Sequence, residues 1–133
     1  MITWLRPCVL TVTILASCLA AAATERTKGT LDQYRQYAGP PVRSFTYLGT
    51  YQDFTTVGPY DVVLWTTVND AWLISVQPPC NGLVFARGIR LTQTFNTVTA
   101  RVDKLKFQDQ ICFITQIRPV NYLKMKQELH TGP

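Results

Sequence analysis

Few residues in this chain have the type and spacing to do chemistry. Cys8 and Cys18 lie in an apolar amino-terminal run, which leaves Cys80 and Cys112 in the body. A zinc site needs about four ligands, and the one histidine, His130, stands close to the carboxyl end, so no metal site is expected. Nucleophilic catalysis has only Ser44 and Ser75 in the body, each in an alternating segment with no neighbouring base. Asp53, Asp61, Asp70 and Asp103 are the acids from which a glycosidase pair would have to come, but turn and solvent-pair roles explain each of them. A phosphate loop with Gly-Lys-Ser/Thr and a dinucleotide fingerprint are both missing. The chain is therefore expected to be non-catalytic and to carry no cofactor.

The amino terminus reads as an export signal over residues 1–23. Arg6 precedes an uncharged run, Cys8 to Ala23, which is short for a membrane span of about twenty residues and ends in small side chains. Two processing routes fit. Ala21 and Ala23 suit cleavage to a free chain starting near Thr24, whereas Leu15-Ala16-Ser17-Cys18 resembles a lipobox in which Cys18 would be acylated. Either route delivers the domain outside the cytoplasm, to a periplasm or outer envelope. In an oxidising compartment, Cys80 and Cys112 are expected to form a disulfide.

Of the 133 residues, 47% are apolar and only 16% charged, which argues for one folded core and against disorder. The formal charge of +5 favours anionic partners. Arg90, Arg101, Lys104 and Lys106 are expected to gather on one hairpin face near Arg118. Such a face suits an anionic sugar polymer, lipid headgroups or an envelope protein; nucleic acid is not expected outside the cell. The plainer reading is an ordinary solvated surface with Arg90 and Asp103 as a cross-strand pair. Phe45, Tyr47, Trp65 and Trp72 are expected in the core.

These residues must be positioned by strands. Residues 24–41 read as a tether with a short helix at Thr30–Tyr37, capped by Thr30 and stopped at Gly39-Pro40-Pro41. From Val42 the period becomes two: Ser44–Leu48 and Thr50–Thr56 read as strands, followed by a Gly58-Pro59 turn. Asp61–Val68 and Ala71–Val76 suggest a hairpin turning on Asn69-Asp70, with Trp65 facing Ile74 and Val63 facing Val76. Leu83–Ala86 reads as a helical turn or short crossing segment. A second hairpin turning on Asn96-Thr97 would set Ile89, Leu91, Phe95, Val98, Ala100 and Val102 on one face, with Arg90 opposite Asp103 on the other. Asp109-Gln110 reads as a turn, Ile111–Ile117 as a strand, and Asn121–Leu129 as an amphipathic helix with Tyr122, Met125 and Leu129 at helical spacing. The expected class is mainly β: a small antiparallel sandwich or barrel of six or seven strands over residues 42–120, short terminal helices (the second in 121–133) and one disulfide.

Cys80-Asn81-Gly82-Leu83, Phe85-Ala86, Arg101-Val102-Asp103, Cys112 and Ile117-Arg118-Pro119-Val120 resemble a family of small exported proteobacterial proteins of unknown function. The resemblance spans about Val42 to Val120 and implies an envelope location without an assigned activity, substrate or catalytic residue. A non-catalytic binding or structural protein is thus the expected function. The alternative is a small inhibitor of a cell-wall or proteolytic enzyme, acting through the disulfide-held loop Pro78 to Gly82.

Overall fold

The computed structural model describes residues 28–130; the leader, with Cys8 and the possible acylation site Cys18, lies outside the described residues. The helix α1 (Leu31–Gln36) starts at a reciprocal capping box. Thr30 Oγ1 accepts from the Gln33 amide at 3.3 Å, and Gln33 Oε1 accepts from the Thr30 amide at 2.8 Å. So short a helix is marginal alone, and what holds it is the fully buried Tyr34 beneath it, set edge-on to Trp65.

The strands that follow are β1 (Ser44–Thr46), β2 (Asp53–Gly58), β3 (Asp61–Trp65) and β4 (Ala71–Val76). After a 3-10 turn at Leu83–Phe85 come β5 (Arg90–Leu91), β6 (Thr97–Thr99), β7 (Lys104–Phe107) and β8 (Gln110–Val120), and the helix α2 (Tyr122–His130) closes the chain. Six strands form one curled antiparallel sheet in the order β2-β3-β4-β8-β7-β5, and β1 pairs with β6 in a second small sheet. The mainly β class is as expected.

One face of the large sheet carries Val62, Leu64, Ile74, Val76, Leu105, Cys112, Ile114 and Ile117, and the small sheet closes over it through Phe45 and Val98. Phe45 stacks on Trp72 with 4.8 Å between ring centroids. On the opposite face Val63, Trp65, Ala71 and Leu73 meet Tyr34, Tyr122 and Met125 from the two helices. All five residues of β3 are therefore buried, which accounts for an apolar run without alternation. Leu129, the third apolar residue at helical spacing in α2, stays exposed.

The first hairpin corrects the expected register. Trp65 lies opposite Ala71, Val63 opposite Leu73, and Val62 opposite Ile74, so Asn69-Asp70 is not a two-residue turn. The wider connection is tied by its own side chains. The Asp70 amide donates to Thr67 Oγ1 at 3.1 Å, Thr67 Oγ1 donates to Asp70 Oδ2 at 2.8 Å, and Trp72 Nε1 donates to Thr66 Oγ1 at 3.3 Å. The pairing differs from the expected one by an odd number of residues. Ile74 and Val76 consequently share a face with Val62 and Leu64, not with Trp65 and Val63.

The second hairpin is replaced by a split. Phe95 and Asn96 form a tight turn with φ of 51° and 58°, and Thr94 and Thr97 exchange both backbone hydrogen bonds at 3.0 Å. The strands then part: β5 pairs with β7, Arg90 opposite Lys106, while β6 crosses to β1. Phe95, expected on the apolar face, is 95% exposed at the tip, and Val102 is exposed as well. Asp103, expected in solvent opposite Arg90, is buried. It accepts from Thr92 Oγ1 at 2.7 Å and from the Thr99 amide at 2.7 Å, which stitches the ends of β5 and β6 to the start of β7. The β7–β8 turn falls on Gln108-Asp109, one residue before the expected Asp109-Gln110, with Phe107 opposite Gln110.

Cys80 and Cys112 form the expected disulfide across a separation of 32 residues, and both are buried. It fastens the long β4–β5 connection to the start of β8. Replacing both cysteines by alanine is expected to lower stability by roughly 3 to 4 kcal/mol, read from urea unfolding midpoints against the oxidised parent. Asp103→Ala is expected to cost roughly 3 kcal/mol by the same measurement. Asp103→Asn should recover only part of it, because one carboxamide oxygen replaces two acceptors and its NH2 is turned toward a donor.

Candidate functional site

Among the described residues, the helices cover the outer face of the large sheet over β3, β4 and the end of β8, and reach Val57 of β2. Beyond that cover, the same face continues across the start of β8, β7 and β5 with side chains of its own. In β8, Cys112 and Ile114 point into the core, so the alternate residues Ile111 and Phe113 point outward, 58% and 48% exposed. In β7, Leu105 and Phe107 are buried, which turns Lys104 and Lys106 out beside them. Register places Lys104 opposite Phe113, Lys106 opposite Ile111, and Arg90 opposite Lys106. The Lys104 ammonium lies 5.2 Å from the centre of the Phe113 ring. None of Arg90, Lys104 and Lys106 is within ion-pair reach of a carboxylate among the described residues. The result is a patch in which Ile111 and Phe113 on β8 lie beside Lys104 and Lys106 on β7, with Arg90 next on β5.

Register brings three of the five expected basic residues together here, and Arg118 is turned to another task. Arg101 sits in the β6–β7 turn with a φ of 68°, its amide donating to the Ile114 carbonyl at 2.7 Å. Arg118 lies near the far end of β8, on the helix-covered side. Its Nε donates to the Gly39 carbonyl at 2.9 Å and Nη2 to the Ala38 carbonyl at 3.3 Å, so it belongs to the scaffold that holds the α1–β1 connection. Sequence reasoning placed Ile111 in a strand without assigning it a face. The signal was present: a disulfide that draws Cys112 inward must turn both of its neighbours outward.

The other chemistry-bearing residues are absorbed locally. Ser75 Oγ donates to the buried Asp61 at 2.6 Å across the β3–β4 pair. Asp70 closes its own loop, Asp103 joins three strands, and Asp53 accepts from the Phe54 amide and lies 3.8 Å from Lys28. Tyr37 Oη donates to Glu128 and so links the helices. That hydrogen bond, together with partial desolvation and the nearby carboxylate charge, raises the phenol above its usual pKa. In the loop proposed for inhibition, Pro78, Pro79, Asn81 and Gly82 are exposed, while Cys80 and then Leu83 are buried and pin it. An apolar groove of about 470 Å³ runs between α1, the β2–β3 turn and the 3-10 turn, lined by Leu31, Val57, Pro59 and Val84. It lacks the convergent charged or amide side chains that orient a small ligand. Among the described residues, no helix is long and apolar enough to cross a membrane and no three of His, Cys, Asp and Glu gather.

Fold and surface together define a small disulfide-tied β domain with a half-covered sheet and a cationic, partly apolar bare face. The chain belongs to a family of unknown function (DUF6491), whose model matches residues 1–131. No curated protein and no solved structure matches it.

The division between scaffold and surface is measurable. Arg118→Ala is expected to lower stability by roughly 1 to 3 kcal/mol, through the loss of two charge-assisted hydrogen bonds. Arg90→Gln, Lys104→Gln and Lys106→Gln should each stay within about 0.5 kcal/mol of the parent in the same urea titration.

Proposed function

We propose that the protein is an exported, non-catalytic binding protein of the cell envelope whose working surface is the bare face of β5, β7 and β8. The observation that carries this reading is the outward cluster of Ile111 and Phe113 among Arg90, Lys104 and Lys106. The exposed halves of Ile111 and Phe113 gain nothing from folding where they stand, and three like charges on adjacent strands, with no ion pair among the described residues, oppose it. An anionic partner with apolar parts relieves both. The amino-terminal leader supports export, and a buried disulfide is consistent with an oxidising compartment.

The disulfide-pinned loop favours a second reading, inhibition of a cell-wall or proteolytic enzyme, because its exposed prolines and Asn81 are held stiffly between two buried anchors. Both readings answer to one experiment. Photoreactive residues at Ile111 and Phe113, at Asn81, and at Arg43 as a control are introduced one at a time into the full chain in its native host. Adducts at Ile111 and Phe113 alone are expected. Adducts at Asn81 alone would transfer the function to the loop, and none at any position would overturn both readings.

A further inference from the structure

We infer that the bare face docks on the anionic headgroup layer of a phospholipid bilayer; the inference rests on the binding reading above and names its partner. Charge selects the class of partner. Arg90, Lys104 and Lys106 stand on neighbouring strands with no carboxylate in ion-pair reach among the described residues, so the opposing surface must be anionic. That excludes a second copy of this chain seated face to face, because each copy would set three cations against three. A sugar polyanion would satisfy the charges and leave Ile111 in water, since an aliphatic side chain offers no flat face on which a sugar ring can stack.

A bilayer surface supplies both chemistries at two depths: phosphates at the level of the ammonium and guanidinium groups, and acyl carbons just below. Long cationic side chains on β7 and β5 reach outward beside the shorter Ile111 and Phe113 on β8, so the apolar flank of the patch can enter the acyl boundary while the cationic flank meets phosphates, the division of labour by which interfacial segments bury apolar groups next to Lys and Arg. The Lys104 ammonium poised over the Phe113 ring can pass to a phosphate as the ring moves into the acyl boundary. Phe113 and Ile111 are carried by a strand that pairs on both sides and is fixed by the disulfide, so little order is lost on docking.

The test uses the chain exported with Cys18→Ser in its leader, so that cleavage near Thr24 is the remaining route and neither an acyl chain nor the apolar leader can anchor the product. Flotation with phosphatidylcholine vesicles is compared with flotation on vesicles that also contain phosphatidylglycerol. Binding to the second, absence from the first, and release by high salt are expected. Each of Arg90→Gln, Lys104→Gln and Lys106→Gln should weaken the affinity about fivefold, and the triple variant about a hundredfold. Phe113→Ser should weaken it strongly with its circular dichroism spectrum unchanged. Equal binding to both vesicle types, no binding, or full binding by the folded triple variant would overturn the inference. A protein adduct at Phe113 in cells combined with absence of vesicle binding would overturn it too, while leaving the broader binding reading standing.

Discussion

A sheet whose middle strands are apolar on both faces has to be covered on both faces, and this molecule is arranged around that demand. β3 has no exposed side, and β4 sends Leu73 one way and Ile74 the other. The small β1–β6 sheet answers on the inner face through Phe45 and Val98, and the helices answer on the outer face through Tyr34, Tyr122 and Met125. Neither helix would persist alone at its length. Each exists because the sheet needs what it buries, and the Tyr37–Glu128 hydrogen bond couples the two into one cover.

Cover extends only as far as apolar surface requires it. Past the middle of β8 the strands become one-sided, with Leu105, Phe107, Cys112 and Ile114 inside and Lys104, Lys106, Ile111 and Phe113 outside. This half of the sheet is held by point fasteners instead of a second layer. The disulfide secures the β4–β5 connection to β8, and the Asp103 carboxylate gathers Thr92 and Thr99 where β5 and β6 diverge. A buried carboxylate that accepts from a backbone amide and a hydroxyl compensates its desolvation with charge-assisted bonds, which lets three short strands meet without an extended ladder. The outer surface there carries cations on β7 and β5 beside the half-exposed Ile111 and Phe113 on β8, the surface to which the proposed docking is assigned.

Much of the local chemistry was readable from residue types. The Thr30 cap, the Cys80–Cys112 pairing, a tight β2–β3 turn (on Pro59-Tyr60, one residue past the expected Gly58-Pro59), the 3-10 turn at Leu83–Phe85, the last strand and the closing helix all follow from interactions within a few residues or from a count of cysteines. The candidate site was half legible. Its cations were visible as a run of basic residues between Arg90 and Lys106, but nothing in that run separated Arg118, whose guanidinium is consumed by carbonyls some eighty residues earlier.

Residue pattern by itself determined that this is a mainly β chain with one tie between strands, because alternation and cysteine number are properties of the segments themselves. Tertiary structure decided register and partnership. Asn69-Asp70 and Asn96-Thr97 carry turn chemistry wherever they sit, yet the width of the first connection was set by which residues of β4 the two cores needed. The split of the second was set by a carboxylate that finds its donors only after three strands have met. Pairing in a sheet is an agreement between distant segments, so its energy lies in contacts that no single window of sequence contains.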